Sequence, residues 1–281
     1  MKRLKTNNAS PNRSGGPCSI GRTINDSADP YDRLVARWKA LRGRDTLTVR
    51  EVACVGAPRT LLVADCGNRA LASVAIAAGI HGDEPAGPWA LLSLVEDGLL
   101  DSRFSYRLWP CTNPSGMRAH SRENAEGVDV NRTFGRGGQS PESRAILTAN
   151  RDRKFALSID LHEDCTAAGF YCFEYNGTDF GRRVVAALDG RGLSVAEVDA
   201  EFDLGMPIAR EHVRFERGCV FPDAEREVEA LGSFSYSLSM RRHAAASVLT
   251  FETPLREAWE VRVHMHRTAV LAAISGLIPE R

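Results

Sequence analysis

The chain has 281 residues, of which 43% are hydrophobic and 26% are charged, the balance of an ordinary globular protein. Lys plus Arg and Asp plus Glu number 36 each, so the formal net charge is zero. This leaves no basic excess for nucleic acid or an anionic membrane surface, and no apolar run is long enough to cross a bilayer. We therefore predict neither a nucleic-acid nor a membrane partner, and the composition does not indicate the oligomeric state.

Residues 1–30 are rich in Asn, Ser, Gly and Pro, and they lack the apolar core and cleavage site of a secretory signal. We interpret them as a flexible tail or as a strap laid over the folded part. Residues 31–281 contain no internal repeat and no long Pro/Gly linker, which favours a single domain. The seven cysteines are scattered and form no CxxC pair, which indicates reduced thiols and a cytoplasmic location.

The first predicted elements are a helix, two paired strands, a buried strand and a second helix. Apolar residues at helical spacing predict a helix over residues 31–41. Alternating apolar and polar residues predict a half-buried strand over 47–55, with a partner strand over 60–65. The apolar run 71–80 is typical of a buried central strand, and Pro85 begins a helix that continues to Val95.

Further along the chain, strands and helices continue to alternate. A strand is predicted over 105–111, and Ser140 with the following proline caps the next helix. Two more buried strands are predicted over 155–161 and 247–251, and the segment 254–278 has helical periodicity. This order predicts an α/β sandwich around a mixed, mostly parallel sheet.

Residues with metal-binding chemistry follow two of the predicted buried strands. His81 and Glu84 come directly after one strand, and His162 comes directly after another. Open α/β sheets carry their sites at the carboxyl ends of strands, and two imidazoles with one carboxylate are a typical zinc set that leaves one position for water. Asp160 lies on the same strand face as His162, where it would orient or shield the site. An HxxE pattern also occurs by chance, and a packed histidine at the edge of the core is the alternative for His162.

Four segments together resemble the zinc carboxypeptidase superfamily, which includes carboxypeptidase A, the bacterial murein peptide amidases and the aspartoacylase-like deacylases. In chain order they are GIHGDE (79–84), NPSGMRAHSRENAEGVDVNR (113–132), IDLH (159–162) and TFETP (250–254). The second segment is the most specific, because its Arg, Asn, Gly and Asp residues recur in the family's spacing. The resemblance implies a three-layer sandwich with about eight strands and one zinc ion per chain.

The resemblance also implies the metal ligands and the groups that act on the substrate. His81, Glu84 and His162 would bind zinc. Glu252 would be the general base that activates the attacking water and protonates the leaving amine. Arg122 would polarise the scissile carbonyl and stabilise the oxyanion, with Arg118, four residues earlier, as the competing candidate.

Three residues of the second segment have implied roles in binding and orientation. Asn131 and Arg132 would bind the terminal carboxylate of the substrate, since a planar guanidinium can donate two parallel hydrogen bonds to it. Asp129 would hold His81 in the tautomer that binds the metal.

The chain departs from the family pattern in its spacing and length. Glu84 and His162 are 78 positions apart, closer than in the digestive carboxypeptidases, which is typical of the compact bacterial branch. Only 29 residues follow Glu252, too few for the additional β domain of the aspartoacylase-like deacylases. Tyr236 is the nearest candidate for the mobile-loop tyrosine of the digestive enzymes, although a packed helix residue is favoured there.

Four further polar residues have open roles. Glu163 and Asp164 would bind a substrate ammonium group or a second metal, or they would be solvated loop acids. His264 and His266 would point apart on a helix, so we interpret them as surface or packing residues.

The leading hypothesis is a zinc hydrolase that cleaves an amide or peptide bond next to a free carboxylate. Such an enzyme would be a metallocarboxypeptidase or a peptide amidase, with a short peptide, for example one derived from murein, as the substrate. The alternative is a deacylase or desuccinylase of N-acyl amino acids. The remote alternative is a catalytically inactive metal- or ligand-binding protein.

Overall fold

The computed structural model describes residues 29–44, 46–67, 72–176 and 179–278. The predicted tail or strap over residues 1–30 lies outside the described residues except for its last two, Asp29 and Pro30, which cap and begin the first helix. Among the described residues, no helix has the length and apolarity needed to cross a membrane. The cytoplasmic location and the single domain over residues 31–281 stay predictions.

The described residues form nine strands and eight α-helices. The strands are β1 Thr48–Ala53, β2 Thr60–Gly67, β3 Ser73–Ala78, β4 Ser105–Trp109, β5 Phe155–Asp164, β6 Tyr171–Tyr175, β7 Val213–Glu216, β8 Cys219–Pro222 and β9 Ala245–Pro254. The helices are α1 Pro30–Ala40, α2 Ala86–Glu96, α3 Pro114–Ala119, α4 Pro141–Asn150, α5 Phe180–Asp189, α6 Ala224–Leu231, α7 Tyr236–His243 and α8 Trp259–Ser275. Short 3-10 helices cover Val130–Arg132 and Arg210–His212.

The nine strands form one sheet in the order β1-β2-β4-β3-β5-β9-β6-β8-β7. The four central strands β4, β3, β5 and β9 are parallel to one another. β1 and β2 are antiparallel at one edge, and on the other side β6 is antiparallel to β9 and parallel to β8. The predicted mixed sheet with a parallel centre is confirmed, with nine strands where about eight were predicted.

Helices cover both faces of the sheet. Helices α1, α2, α5 and α8 pack on one face, where Leu34, Trp38, Leu91 and Met265 are fully buried. Helices α4, α6 and α7 pack on the other face around a second apolar cluster. The predicted three-layer sandwich is confirmed, because the apolar faces of the strands on both sides need a helical cover.

Two of the predicted strands are longer than expected. β5 continues past His162 to Asp164, and β9 continues past Glu252 to Pro254. The two strands stay paired over these residues, because polar side chains leave the backbone hydrogen bonds of a ladder unchanged. The polar residues therefore lie within paired strands and do not begin a loop.

Glu227 on α6 is a buried acid whose protonation contributes to stability. Its side chain is 2% exposed and accepts a hydrogen bond of 3.0 Å from the Tyr175 hydroxyl. Burial raises the pKa of Glu227 from 4.5 to about 7, against the opposing effects of Tyr175 and Arg132. The folded state therefore holds this proton more tightly than the unfolded chain. The resulting stabilisation is complete below the unfolded pKa and is lost as the pH rises through 7.

We expect Glu227→Gln to remove this pH dependence. Between pH 5 and pH 8.5 the wild-type free energy of unfolding should fall by about 2.5 kcal/mol more than that of the variant. The measurement is denaturant unfolding at both pH values. Glu225→Gln, an exposed acid on the same helix, is the matched control and should keep the wild-type slope. Equal slopes for Glu227→Gln and the wild type would contradict the assignment.

Candidate metal centre and active site

The turn after β3 carries two of the predicted ligands and depends on a glycine between them. A Cβ atom at Gly82 would lie 1.8 Å from the backbone carbonyl carbon of Gly116. The Gly82 amide donates a hydrogen bond of 2.9 Å to the Ser121 carbonyl. Because a side chain at this position would clash with backbone, only glycine lets the turn pack here and direct His81 and Glu84 to the same side.

The predicted ligands converge in a buried cluster. The His81 Nδ1 atom lies 2.6 Å from Glu84 Oε1, and the His162 Nδ1 atom lies 2.8 Å from Glu84 Oε2. The two Nδ1 atoms are 3.2 Å apart. Among the described residues, these three are the group of His, Cys, Asp or Glu side chains whose ligand atoms all lie within 4.8 Å of one another. The structure thus brings together residues from two distant segments.

The geometry of the cluster fits zinc. Two nitrogen ligands at about 2.0–2.1 Å in a tetrahedral site are roughly 3.3 Å apart, close to the separation of the two Nδ1 atoms. Two imidazoles that face each other and one carboxylate need a shared cation or a shared proton between them. The side chains of His81, Glu84 and His162 are at most 8% exposed, so solvent contributes little to this compensation.

Carboxylates on the outer side of the cluster orient both imidazoles. Asp160 Oδ2 lies 3.0 Å from His162 Nε2, and Asp129 Oδ1 lies 3.5 Å from His81 Nε2. An acid at Nε2 favours the tautomer with a proton there, which leaves the Nδ1 lone pair directed into the cluster. Burial opposes ionisation of Asp129, yet the His81 ring and the nearby guanidinium groups hold its pKa well below the usual range.

Arg122 lies beside the cluster, and Arg118 does not. The Nε and Nη2 atoms of Arg122 donate hydrogen bonds of 3.1 and 2.9 Å to Asp129 Oδ2. Its Nη1 atom lies 3.2 Å from His81 Nδ1, on the side of the ligands. Arg118 pairs with Asp29 and Asp32 at α1, at 3.1 and 2.6 Å. Of the two candidates for the oxyanion-stabilising role, only Arg122 has the required position.

Glu252 lies next to a predicted metal ligand because of the strand register. On β9 it is opposite His162 of β5 on one side and opposite Tyr171 of β6 on the other. Side chains opposite each other in neighbouring strands share a face of the sheet, so Glu252 faces the cluster. Burial raises the pKa of Glu252 well above the usual value, the charge of His162 opposes this, and Glu84 reinforces it. A raised pKa brings a carboxylate closer to the range useful for a general base at neutral pH.

Asn131 and Arg132 form the short 3-10 helix directly after Asp129. Asp129 begins this helix by accepting a hydrogen bond of 2.8 Å from the Asn131 amide. The Asn131 side-chain oxygen accepts a hydrogen bond of 2.9 Å from the Tyr236 backbone amide, which ties the segment to α7. Arg132 is half-buried and donates from Nη1 to the Asn131 carbonyl at 3.0 Å. The other hydrogen-bond donors of the two side chains are the amide nitrogen of Asn131 and the remaining guanidinium nitrogens of Arg132. Donors of this kind are suited to a carboxylate ligand.

Tyr171 is a residue of this site that the sequence did not reveal. It is 2% exposed, and its hydroxyl donates a hydrogen bond of 2.7 Å to Asp164 Oδ2. Asp164 also accepts from the Thr166 hydroxyl at 2.7 Å. The aromatic residues of FYCFEY favour a strand, but the position beside Glu252 follows only from the antiparallel pairing of β6 with β9.

Glu163 is not a solvated loop acid. It is 4% exposed and forms a buried ion pair with Arg262 of α8. Tyr236 is 1% exposed and packs edge-on against Phe134 at 5.5 Å, as a packed helix residue does. His264 is exposed and His266 is buried, so the two histidines do point apart.

Comparison with known proteins relates the chain to metallopeptidases. Residues 70–196 match the sequence model of the succinylglutamate desuccinylase/aspartoacylase catalytic domain. This region includes every predicted site residue except Glu252. A curated relative, "Carboxypeptidase SOL1" from Arabidopsis thaliana, is 29% identical over 161 residues. The match covers 50% of this chain but only 32% of that relative, so the chain spans about a third of its length.

Solved structures share the fold. A candidate metallopeptidase from Shewanella amazonensis has a TM-score of 0.68 at 22% identity, with 89% of this chain and 93% of that chain covered. A metallo-carboxypeptidase from Burkholderia cenocepacia has a TM-score of 0.61 at 18% identity, covering 87% and 68%. Carboxypeptidase A from Helicoverpa armigera has a TM-score of 0.60 at 14% identity, covering 87% and 71%. At these identities the similarity extends to the fold alone.

We expect the wild type to retain one zinc ion per chain after dialysis and His81→Ala to lose it, because the variant removes one of three ligands. Metal analysis by mass spectrometry gives the zinc content of each protein. His264→Ala is the matched control, since that imidazole is exposed and lies outside the cluster. Wild-type zinc content in His81→Ala would rule out the assigned site.

Proposed function

Because this chain belongs to the zinc carboxypeptidase superfamily, we propose that it is a zinc-dependent hydrolase that cleaves an amide or peptide bond next to a free carboxylate. The observation that carries the proposal is the convergence of His81, Glu84 and His162, with Glu252 opposite His162 in the neighbouring strand. A metal cluster alone would suit a binding protein. A carboxylate with a raised pKa beside the cluster suits hydrolysis.

His81, Glu84 and His162 would hold the metal ion. A bound zinc ion would supply a Lewis acid and would lower the pKa of a water molecule bound to it. Asp160 and Asp129 keep the two imidazoles in the orientation that presents Nδ1. Burial of the cluster strengthens these electrostatic interactions by limiting solvent screening.

Glu252 is the proton carrier of the proposed reaction. It takes a proton from the attacking water and then gives it to the nitrogen of the departing amine. Its place beside His162 puts the carboxylate next to the water position. The pKa raised by burial lets the carboxyl group hold the proton between the two transfers.

Arg122 stabilises the charge that develops on the carbonyl oxygen. Its Nε and Nη2 atoms are held by Asp129, which leaves Nη1 directed toward the cluster. A guanidinium fixed in this way needs little reorganisation when the negative charge appears, and such preorganised donors contribute strongly to catalysis.

Asn131 and Arg132 set the position of the cut by binding the free carboxylate of the substrate. They lie directly after Asp129, so the same short segment orients a metal ligand and the substrate anchor. The cleaved bond would then be the one whose carbonyl lies beside Arg122 and Glu252 when the carboxylate is held. A short peptide, for example one derived from murein, has both groups.

We expect Glu252→Gln to lower kcat by at least about 100-fold, the usual effect of losing a general base. The substitution preserves volume, so zinc content and KM should change little. Steady-state kinetics on a short peptide, together with metal analysis, measure both. Glu260→Gln, an exposed acid at the start of α8, is the control and should keep wild-type kinetics. Equal turnover by wild type and Glu252→Gln would exclude the proposed base.

A deacylase or desuccinylase of N-acyl amino acids is the second candidate. The match to the succinylglutamate desuccinylase/aspartoacylase catalytic domain favours it. Both candidates use the same ligands and base, and they differ in the group beyond the scissile amide. Kinetics on a panel of dipeptides, murein-type peptides and N-acyl amino acids separate the two candidates. The compounds with the highest kcat/KM identify the substrate class.

We expect the wild type to cleave a peptide with a free carboxylate at least tenfold faster, in kcat/KM, than the same peptide as a C-terminal amide. Loss of a charge-assisted hydrogen bond costs about 1.5–3 kcal/mol, so Arg132→Met should reduce or abolish this preference. Kinetics with the matched acid and amide measure it. A preference that Arg132→Met leaves intact would exclude Arg132 as the anchor.

A further inference from the structure

The rear of the metal centre is a buried polar layer between the sheet and α8. Glu163 of β5 lies opposite Thr253 of β9, one residue beyond the pair His162 and Glu252. Because successive side chains on a strand alternate between faces, Glu163 and Thr253 point away from the metal and toward α8. Four residues with polar side chains meet there in a part of the molecule that is otherwise apolar. They are Glu163, Thr253, Arg262 and His266, each at most 6% exposed.

Glu163 contacts both segments that carry metal ligands. Its Oε2 atom accepts a hydrogen bond of 2.8 Å from the Ala86 backbone amide, two residues after Glu84. Its own backbone amide donates a hydrogen bond of 3.2 Å to Glu84 Oε2. Glu163 also follows His162 directly in β5. A single residue therefore joins the turn after β3 to the end of β5.

The Ala86 amide is one of the free N–H groups at the start of α2. The preceding Pro85 gives this helix no side-chain cap, so the Glu163 carboxylate from another strand takes that role. This fixes where α2 begins relative to β5. Since Glu84 lies just before the helix, it also fixes the position of the ligand.

Arg262 makes the buried carboxylate possible. Its Nη1 atom donates to Glu163 Oε1, and both side chains are buried. An unpaired carboxylate in this layer would carry a large desolvation cost. Apolar side chains of similar volume are often at least as stable in a buried position as an ion pair. The ion pair therefore contributes here by fixing the geometry of the residues that it contacts.

His266 makes a parallel contact one helical turn after Arg262. Its Nε2 atom lies 3.1 Å from Thr253 Oγ1, next to Glu252 in the chain. Burial lowers the pKa of His266 to about 3, so the imidazole is neutral and adds no positive charge behind the metal. Helix α8 therefore contacts the rear of both strands, beside the ligand on β5 and beside the base on β9.

We propose that the buried Glu163–Arg262 pair is a positioning device that sets zinc affinity by fixing Glu84 and His162 from behind the sheet. The inference rests on the proposed zinc site and adds residues that touch neither metal nor substrate. Glu163 and Arg262 are positioning residues, and a loss of either loosens the turn that carries Glu84.

The test is zinc affinity of the full chain, measured by competition with a chromophoric chelator. Arg262→Met should bind zinc about 10–100-fold more weakly, the usual effect of removing a partner that orients ligands. Glu163→Gln, which keeps the volume and loses the charge, should weaken binding in the same direction. Arg262→Lys retains the charge and should recover most of the affinity. Arg267→Met is the control, because Arg267 lies on the same helix and pairs with Asp97 at the surface.

Substitution with Co²⁺ gives a second readout, since its visible absorption reports ligand geometry. The spectrum should change in Arg262→Met and Glu163→Gln and stay as in the wild type in Arg267→Met. Wild-type zinc affinity and cobalt spectrum in both Arg262→Met and Glu163→Gln would overturn the inference while leaving the proposed function intact. Absence of zinc binding by the wild type would overturn the proposed function and the inference with it. If Arg262→Met does not fold, Glu163→Gln and Arg262→Lys decide.

Discussion

The parallel pairing of β5 with β9 is the constraint on which the rest of the site depends. Its register sets His162 opposite Glu252 and Glu163 opposite Thr253. The first pair faces the metal cluster, and the second faces α8. A shift of one strand by a single residue would turn His162 or Glu252 toward α8. The fully buried Leu161 and Phe251, which precede the two pairs, make such a shift costly.

The site gathers more carboxylates than cationic side chains. Glu84 and Glu252 both lie near His162. Burial raises the pKa of Glu252, the charge of His162 opposes this, and the neighbouring acids raise the pKa further. Carboxylates brought together in a buried site repel one another unless a cation lies among them. Arg122 compensates Asp129 on the substrate side, and Arg262 compensates Glu163 on the helix side. A divalent ion between the imidazoles would compensate the remaining charge of Glu84 and Glu252.

The sequence predicted the parts of the site that local patterns encode. His81, His162 and Glu252 follow apolar runs typical of buried strands, and the motif spacing supplied their implied roles. Arg262 lies on α8, 99 residues from Glu163, so no local pattern links the two. Strands β6, β7 and β8, with four or five residues each, were not among the predicted strands. Tyr171 stayed hidden for that reason, since only the pairing of β6 with β9 brings it beside Glu252.

The tripeptide His162-Glu163-Asp164 shows that strand pairing, which local sequence patterns do not reveal, can give consecutive residues different surroundings. If these residues formed a loop, Glu163 and Asp164 would both be exposed to solvent. Within a paired strand they separate, so that His162 reaches the metal cluster, Glu163 pairs with α8, and Asp164 accepts from Tyr171. Apolar residues in place of both Glu163 and Arg262 would remove the desolvation cost of the ion pair but leave the Ala86 amide without its acceptor. The polar layer behind the metal thus costs some stability, but it fixes the start of α2 and therefore the position of Glu84.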